Sequence, residues 1–182
     1  MALDTAQLKS DILAILDSPP ESVETAANVW AQTIVDFAVG GEILAPLPGI
    51  NPAGVPGPPP GKMSSSTAAA GTVIIEPIIL ASFKAQDPVL IGLQSGILAY
   101  IPTLAAWSGG GYTAAAPAVP TAVAAPGYFA SIVGLGLSGA ENKDIATLLS
   151  TLIFAAFSTA LCSGAAVNPG GFISPITALP II

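Results

Sequence analysis

Between Pro88 and Ala140, and again from Ile145 to Ile182, this chain carries no charged side chain. An ordinary domain is about 25% charged and covers much of its surface with those groups. Here charged residues are 8% of 182 and hydrophobic ones 52%, with 19 Gly and 18 Pro. Large parts of the surface must be covered by neighbouring protein, by other copies of the chain, or by lipid. The charges that remain are 11 acids against 4 Lys, with no His, for a net charge of −7. That balance argues against nucleic-acid binding, which draws its affinity from cations neutralising phosphates.

Chemistry is equally constrained. Cys162 is the one cysteine, so no internal disulfide can form, and without His a zinc site lacks ligands. Ser64, Ser65, Ser66 and Ser95 have no base to activate them except Lys, and no Ser-x-x-Lys occurs. Glu21 and Glu24 read as first-turn acids favoured by the helix dipole, not as a catalytic pair. Gly134-Leu135-Gly136-Leu137-Ser138-Gly139 matches G-x-G-x-x-G, but no acid follows Asp144 to hold a ribose, so it reads as a glycine-rich turn. We expect no catalytic residue, no metal site and no cofactor. The N-terminus, M-A-L-D-T-A-Q-L-K, has no basic start followed by an apolar run, which predicts a chain that does not use the secretory route.

The strongest structural signal is helical. From Lys143 to Leu161, Leu148, Leu149, Leu152, Ile153, Ala156 and Ala160 recur at helical spacing, with Asp144 at the start and Ser163-Gly164 as the stop. Thr147, Ser150, Thr151, Ser158 and Thr159 form the other face. Residues 4–16 predict an amphipathic helix on Leu8, Ile12, Ile15 and Leu16. A second helix is predicted from Ser18 as N-cap, with Pro19 at N1 and Glu21 at N3, carrying a Val23, Ala27, Trp30, Ile34 and Phe37 seam to Gly40-Gly41. This seam is the expected partner of the Leu148–Ala156 stripe. Helix resumes near Thr67, kinked or split at Pro77, and again from Asp87-Pro88 to Ile101. Gly92 and Gly96 stand four apart on that last helix and predict close approach of another backbone. The aromatic residues Trp30, Trp107, Tyr100, Tyr112 and Tyr128 are expected in packing and subunit contacts, since no basic residues interleave them.

Proline and glycine punctuate the rest. Residues 42–66 hold Pro46, Pro48, Pro52, Pro56, Pro58, Pro59 and Pro60, which excludes helix interior and sheet centre and predicts an extended arm or linker. Residues 108–126 predict an extended loop with short strand pieces near Tyr112-Thr113 and Val119–Val123. The tail after Asn168 suits an edge strand or an arm docking on a neighbour. Asn51-Pro52-Ala53-Gly54 echoes Asn168-Pro169-Gly170-Gly171, as chance or as a degenerate duplication. The expected fold is therefore mainly α with minor β: an Ala-rich helical bundle with Gly/Pro-rich extended arms. Its parts are an N-terminal helical pair (1–41), an arm or linker (42–66) and a helical core (67–182), together one domain.

The order D-I-L-A-I-L, A-N-V-W-A-Q-T-I-V-D-F-A, I-L-A-S-F-K-A-Q-D-P, then D-I-A-T-L-L-S-T-L-I-F-A-A-F-S-T-A-L resembles small virion structural proteins of tailed bacteriophages, attached to tail, neck or baseplate. The resemblance spans about Leu8 to Val167 as a pattern of Ala-rich helices and Gly/Pro/Thr loops. It implies a non-enzymatic subunit, located in the virion and assembled in the host cytoplasm, whose partners are copies of itself and other virion proteins. Such proteins often place a polar or basic residue in the last helix, often His followed by a Thr-rich strand, and F-S-T-A-L-C with A-A-V-N-P-G-G departs from that pattern. The alternative is a small integral membrane protein, holin-like or channel-forming, supported by the uncharged stretches. The Pro and Gly interruptions and the 17-residue length of Ile145–Leu161 count against it.

Overall fold

A computed structural model describes residues 3–44, 53–54, 61–86, 89–114, 139–168 and 170–182. The helices are α1 (Thr5–Asp17), α2 (Val23–Val39), α3 (Thr72–Lys84), α4 (Val89–Tyr100) and α5 (Asn142–Ser158). The strands are β1 (Glu42–Leu44), β2 (Lys62–Ser65), β3 (Trp107–Gly109), β4 (Tyr112–Ala114), β5 (Leu161–Val167) and β6 (Ile173–Pro180). The expectation of a mainly α bundle with minor β is thereby overturned. The six strands form one sheet in the order β1-β2-β3-β4-β5-β6, each antiparallel to the next. Beyond β6, the Glu42 and Ile182 amides each donate to the other's carbonyl at 2.9 Å, so the sheet curls into a nearly closed barrel.

The ends of the segment read as an arm are therefore sheet, and the tail takes the strand alternative. The ends of residues 42–66 pair as β1 and β2, with Ile43 opposite Met63 and both fully buried. The tail lies in register with β5 from Val167↔Ile173 to Leu161↔Pro180. Burial alternates along these short strands, and the inward set fills the barrel: Ile43, Met63, Trp107, Tyr112, Cys162, Ala166, Ile176 and Ile181. Burying about 150–250 Å² for each large aromatic gives Trp107 and Tyr112 the largest share of that interior. The strand piece expected near Tyr112-Thr113 is β4. Residues 45–52, 55–60 and 115–138, with their prolines, the Val119–Val123 piece, Tyr128 and all of the glycine motif but Gly139, lie outside the described residues. So do Asn51-Pro52 and Asp87-Pro88.

The β3–β4 hairpin turns through Gly110 and Gly111 at φ +57° and +80°, the pair of positive values that a two-residue type I′ turn needs. Side chains here would also collide with β2: a Cβ on Gly110 would lie 2.6 Å from the Gly61 Cα. The β5–β6 turn is set by Asn168, as its Asn-Pro-Gly-Gly sequence suggests. Its Oδ1 accepts from Gly170 N–H at 2.8 Å, and its Nδ2 donates to the Gly111 carbonyl at 2.6 Å, pinning one hairpin turn to the other.

The helices lie outside the barrel as pairs. Asp4 caps α1 by accepting from the Ala6 and Gln7 amides, and Leu8, Ile12 and Ile15 face the core. The capping expected of Ser18 belongs instead to Ser22, whose hydroxyl accepts from Thr25 N–H at 3.1 Å. Pro19-Pro20 separates the helices, so Ser18 ends α1 and α2 begins five residues later, at Val23. α3 runs unbroken through Pro77. The donor that proline lacks would have met the Val73 carbonyl in the first turn, and Val73 is exposed to water. Glu24–Lys84 at 3.0 Å and Asn28–Glu76 at 3.0 Å join α2 to α3.

The Gly92/Gly96 expectation is met by α3: a Cβ on Gly92 would lie 2.5 Å from the Ser82 Cβ, and one on Gly96 3.0 Å from the Ile75 Cγ2. α5 packs chiefly along α1, not along the α2 seam. Asn142 ties their ends by donating to the Leu16 carbonyl at 3.1 Å and the Asp17 carboxylate at 2.8 Å, supplying a partner for an orphan carbonyl of α1. Its buried face is Ala146, Leu149, Ser150, Ile153, Ala156 and Phe157. Leu148 and Leu152 are only partly buried, so the stripe is rotated toward Ser150, which satisfies its hydroxyl on the Thr147 carbonyl at 3.0 Å. The α2 seam meets α5 through Phe157, edge-on to Phe37 at 5.6 Å and to Tyr100 at 6.2 Å.

Candidate functional site

Of the serines weighed as nucleophiles, Ser65 serves the fold. Ser65 donates to the Ala105 carbonyl at 2.7 Å, and Thr67 donates to the Thr103 carbonyl at 2.9 Å while accepting from Ala105 N–H at 2.8 Å. This clamp ties the chain entering the α3–α4 hairpin to the chain leaving it. The run S-S-S-T at 64–67 carried the signal, since hydroxyl side chains compete for backbone groups where a strand ends. Ser64, Ser66 and Ser95 are exposed. Glu24 pairs with Lys84, whose ammonium holds its carboxyl below the usual range.

Cys162 lies inside the barrel, where burial pushes its thiol up to about 12. A thiol so protonated is a packing group and not a nucleophile near neutral pH. Tyr100, raised by the same desolvation, donates to the Ala68 carbonyl. Glu42 is the one buried carboxylate of the described residues, and Lys62 at 2.8 Å holds it below the usual range against the cost of burial. The pair spans β1 and β2 near the barrel seam.

A cleft of about 660 Å³ lies between the start of α1 and the end of α2, and Asp4, Asp11 and Asp36 stand around it. Each of these carboxylates already accepts hydrogen bonds: Asp4 as the α1 cap, Asp11 from Gln7 at 2.7 Å, and Asp36 from Gln32 at 2.7 Å. Among the described residues no group of three His, Cys, Asp or Glu is arranged to hold a metal ion.

What the fold does bring together is surface of one kind. Residues 4–39 carry six acids against Lys9 alone, whereas α4, β3, β4, β5 and β6 carry no charge. On the outward face of the β5–β6 ribbon, Val167 stands opposite Ile173, Ala165 opposite Pro175, and Leu161 opposite Pro180. Ile173 is 58% exposed and Leu161 37%. The outer side of α4 shows Ile91, 55% exposed, with Ser95 and Ala99. The ribbon is the candidate functional surface. Solitary exposed apolar residues are ordinary, but an uncharged sheet face with apolar residues opposite one another on both strands is the usual mark of a covered surface. Comparison with family models, with curated proteins and with solved structures finds no match for this chain.

Proposed function

We propose that this chain is a non-enzymatic structural subunit of a bacteriophage particle, in its tail, neck or baseplate. It works through contacts with copies of itself and with other virion proteins. The observation that carries the reading is the uncharged outward face of β5–β6, Leu161, Ala165, Val167, Ile173, Pro175 and Pro180, beside an acidic helical layer. An apolar patch without charge gains by exclusion of water at roughly 25 cal/mol per Å² when a neighbour covers it. The order of helix and loop motifs along the chain adds the particle to that assembly reading. Among the described residues no helix is long and apolar enough to cross a membrane, and the integral-membrane alternative is set second for that reason.

The test is sizing of the chain expressed without detergent. The expected result is a detergent-independent oligomer well above 17.9 kDa, which Ile173→Lys dissociates by placing a charge in the covered face. Extraction from a membrane pellet only with detergent would overturn the reading.

A further inference from the structure

The seam that closes the barrel is short. Among the described residues β1 and the chain beyond β6 are joined by two hydrogen bonds between Glu42 and Ile182, against six paired positions between β5 and β6 and two between β4 and β5. Beside them Ile181 is fully buried, and its Cγ2 lies 2.8 Å from where a Cβ on Gly41 would be. Gly41 is thus a socket that only a glycine leaves open for this one apolar knob. The seam also joins residues 140 positions apart in sequence, so its closure is entropically the least favoured pairing of the sheet.

The strap that makes the seam has its own hinge. Between Cys162↔Leu179 and Gly164↔Ile176 the register slips by one residue, a bulge on the β6 side. Within it Ala178 is held at φ +50°, a left-handed conformation that an L residue with a Cβ adopts at a cost, and its N–H is taken by the Ser163 hydroxyl at 3.2 Å. A strap that ran straight on from Thr177 would release that strain.

We propose that residues 178–182 are an exchangeable strap: in the oligomer, Ile181 and Ile182 of one copy fill the Gly41 socket and pair with Glu42 of a second copy. The occupant is a second copy because the seam's own knob, socket and register are already complementary, and exchange keeps each of them while straightening the hinge. The inference rests on the self-assembly in the proposed function and adds a second contact between copies to the covered ribbon face.

The experiment places a cysteine at each side of the seam, Glu42→Cys in one chain and Ile182→Cys in another. Antiparallel partners that exchange hydrogen bonds have Cα atoms about 5.5 Å apart, within disulfide reach. The two variants, each checked for native circular dichroism, are co-refolded, oxidised, and quenched with N-ethylmaleimide before denaturing electrophoresis. A disulfide-linked 42–182 heterodimer, confined to the oligomeric fraction, is the expected result. Oligomer without that crosslink would overturn the strap while leaving the proposed function standing, and monomer at every concentration would overturn both.

Ala178→Gly supplies a second readout should Glu42→Cys fail to fold. By removing the hinge strain from the closed ring, it is expected to raise the protein concentration at which half the chain is oligomeric by roughly fivefold or more. An unchanged midpoint would count against exchange.

Discussion

Gly71→Ala isolates the packing that joins the helical layer to itself. Gly71 has φ −64° and ψ −25°, a conformation alanine adopts freely, so backbone strain plays no part. Elsewhere such a change stabilises by about 0.4–1 kcal/mol through the unfolded chain. Here a Cβ would fall 2.6 Å from the Tyr100 Cζ on one side and 2.8 Å from the Val35 Cγ2 on the other. Carbon atoms rest at about 3.5–4.0 Å, so the overlap is roughly 1 Å in two directions. Neither neighbour can swing away: the Tyr100 hydroxyl is bonded to the Ala68 carbonyl, its ring meets Phe157, and Val35 is buried in α2. Overpacking of this kind costs about 1–3 kcal/mol, which exceeds the entropic gain. The expected net loss is about 1–2 kcal/mol, or roughly 2–8 °C in Tm for a chain of this length. Thermal melts followed by circular dichroism read it. The double variant Gly71→Ala/Tyr100→Leu should recover part of the loss by making room. A single variant as stable as the parent, or more so, would refute the packing assigned to this junction.

Ile153→Ala, which empties a fully buried site on α5, should cost about 2–5 kcal/mol by urea titration. Leu152→Ala, on its half-buried flank, should cost under about 2 kcal/mol; the reverse order would mean that the helix faces the core with its other side. Because Lys62 depresses the folded pKa of Glu42, the pair's contribution is full above the unfolded value near 4.5 and is lost as pH falls through the lower folded value. Lys62→Met should therefore lower Tm at pH 7 and shrink the fall in Tm below pH 4.5, and an unchanged acid limb would remove the ion pair from the account. Cys162 should resist a thiol reagent at pH 8 in the folded chain and react at once in guanidinium, whereas rapid labelling of the native state would show the barrel interior to be open.

The helices were largely legible because each presents an apolar stripe long enough to reveal its period. Leu8, Ile12 and Ile15 mark α1, and Gly92 and Gly96 name the side of α4 that approaches another backbone. Their pairing was less legible: α5 and the α2 seam both offered strong faces, and only the tertiary structure shows that α5 chose α1. The barrel was hidden for physical reasons. β1, β3 and β4 are three residues long, too short for alternation to register, and β2 reads Lys-Met-Ser-Ser. β3 and β4 form a local hairpin, but β1 and β2 depend on partners far along the chain, as in Glu42 with Ile182, and no local pattern encodes that. At β6 the prolines left two outcomes open, since Pro175 and Pro180 suit an edge strand or an arm, and the strand paired with β5 is the one that forms. The absence of charge was the one feature of the candidate surface visible beforehand, and the strands were needed to show that Leu161, Val167 and Ile173 share a face.

Quantitative mass spectrometry of particles purified through a density gradient, from cells that encode the chain, tests whether it is a structural part of a phage particle. Its peptides are expected in the particle fraction at a fixed ratio to the other virion proteins, retained after salt and detergent washes. Absence from washed particles, with recovery in the host membrane or free in the lysate, would overturn that role.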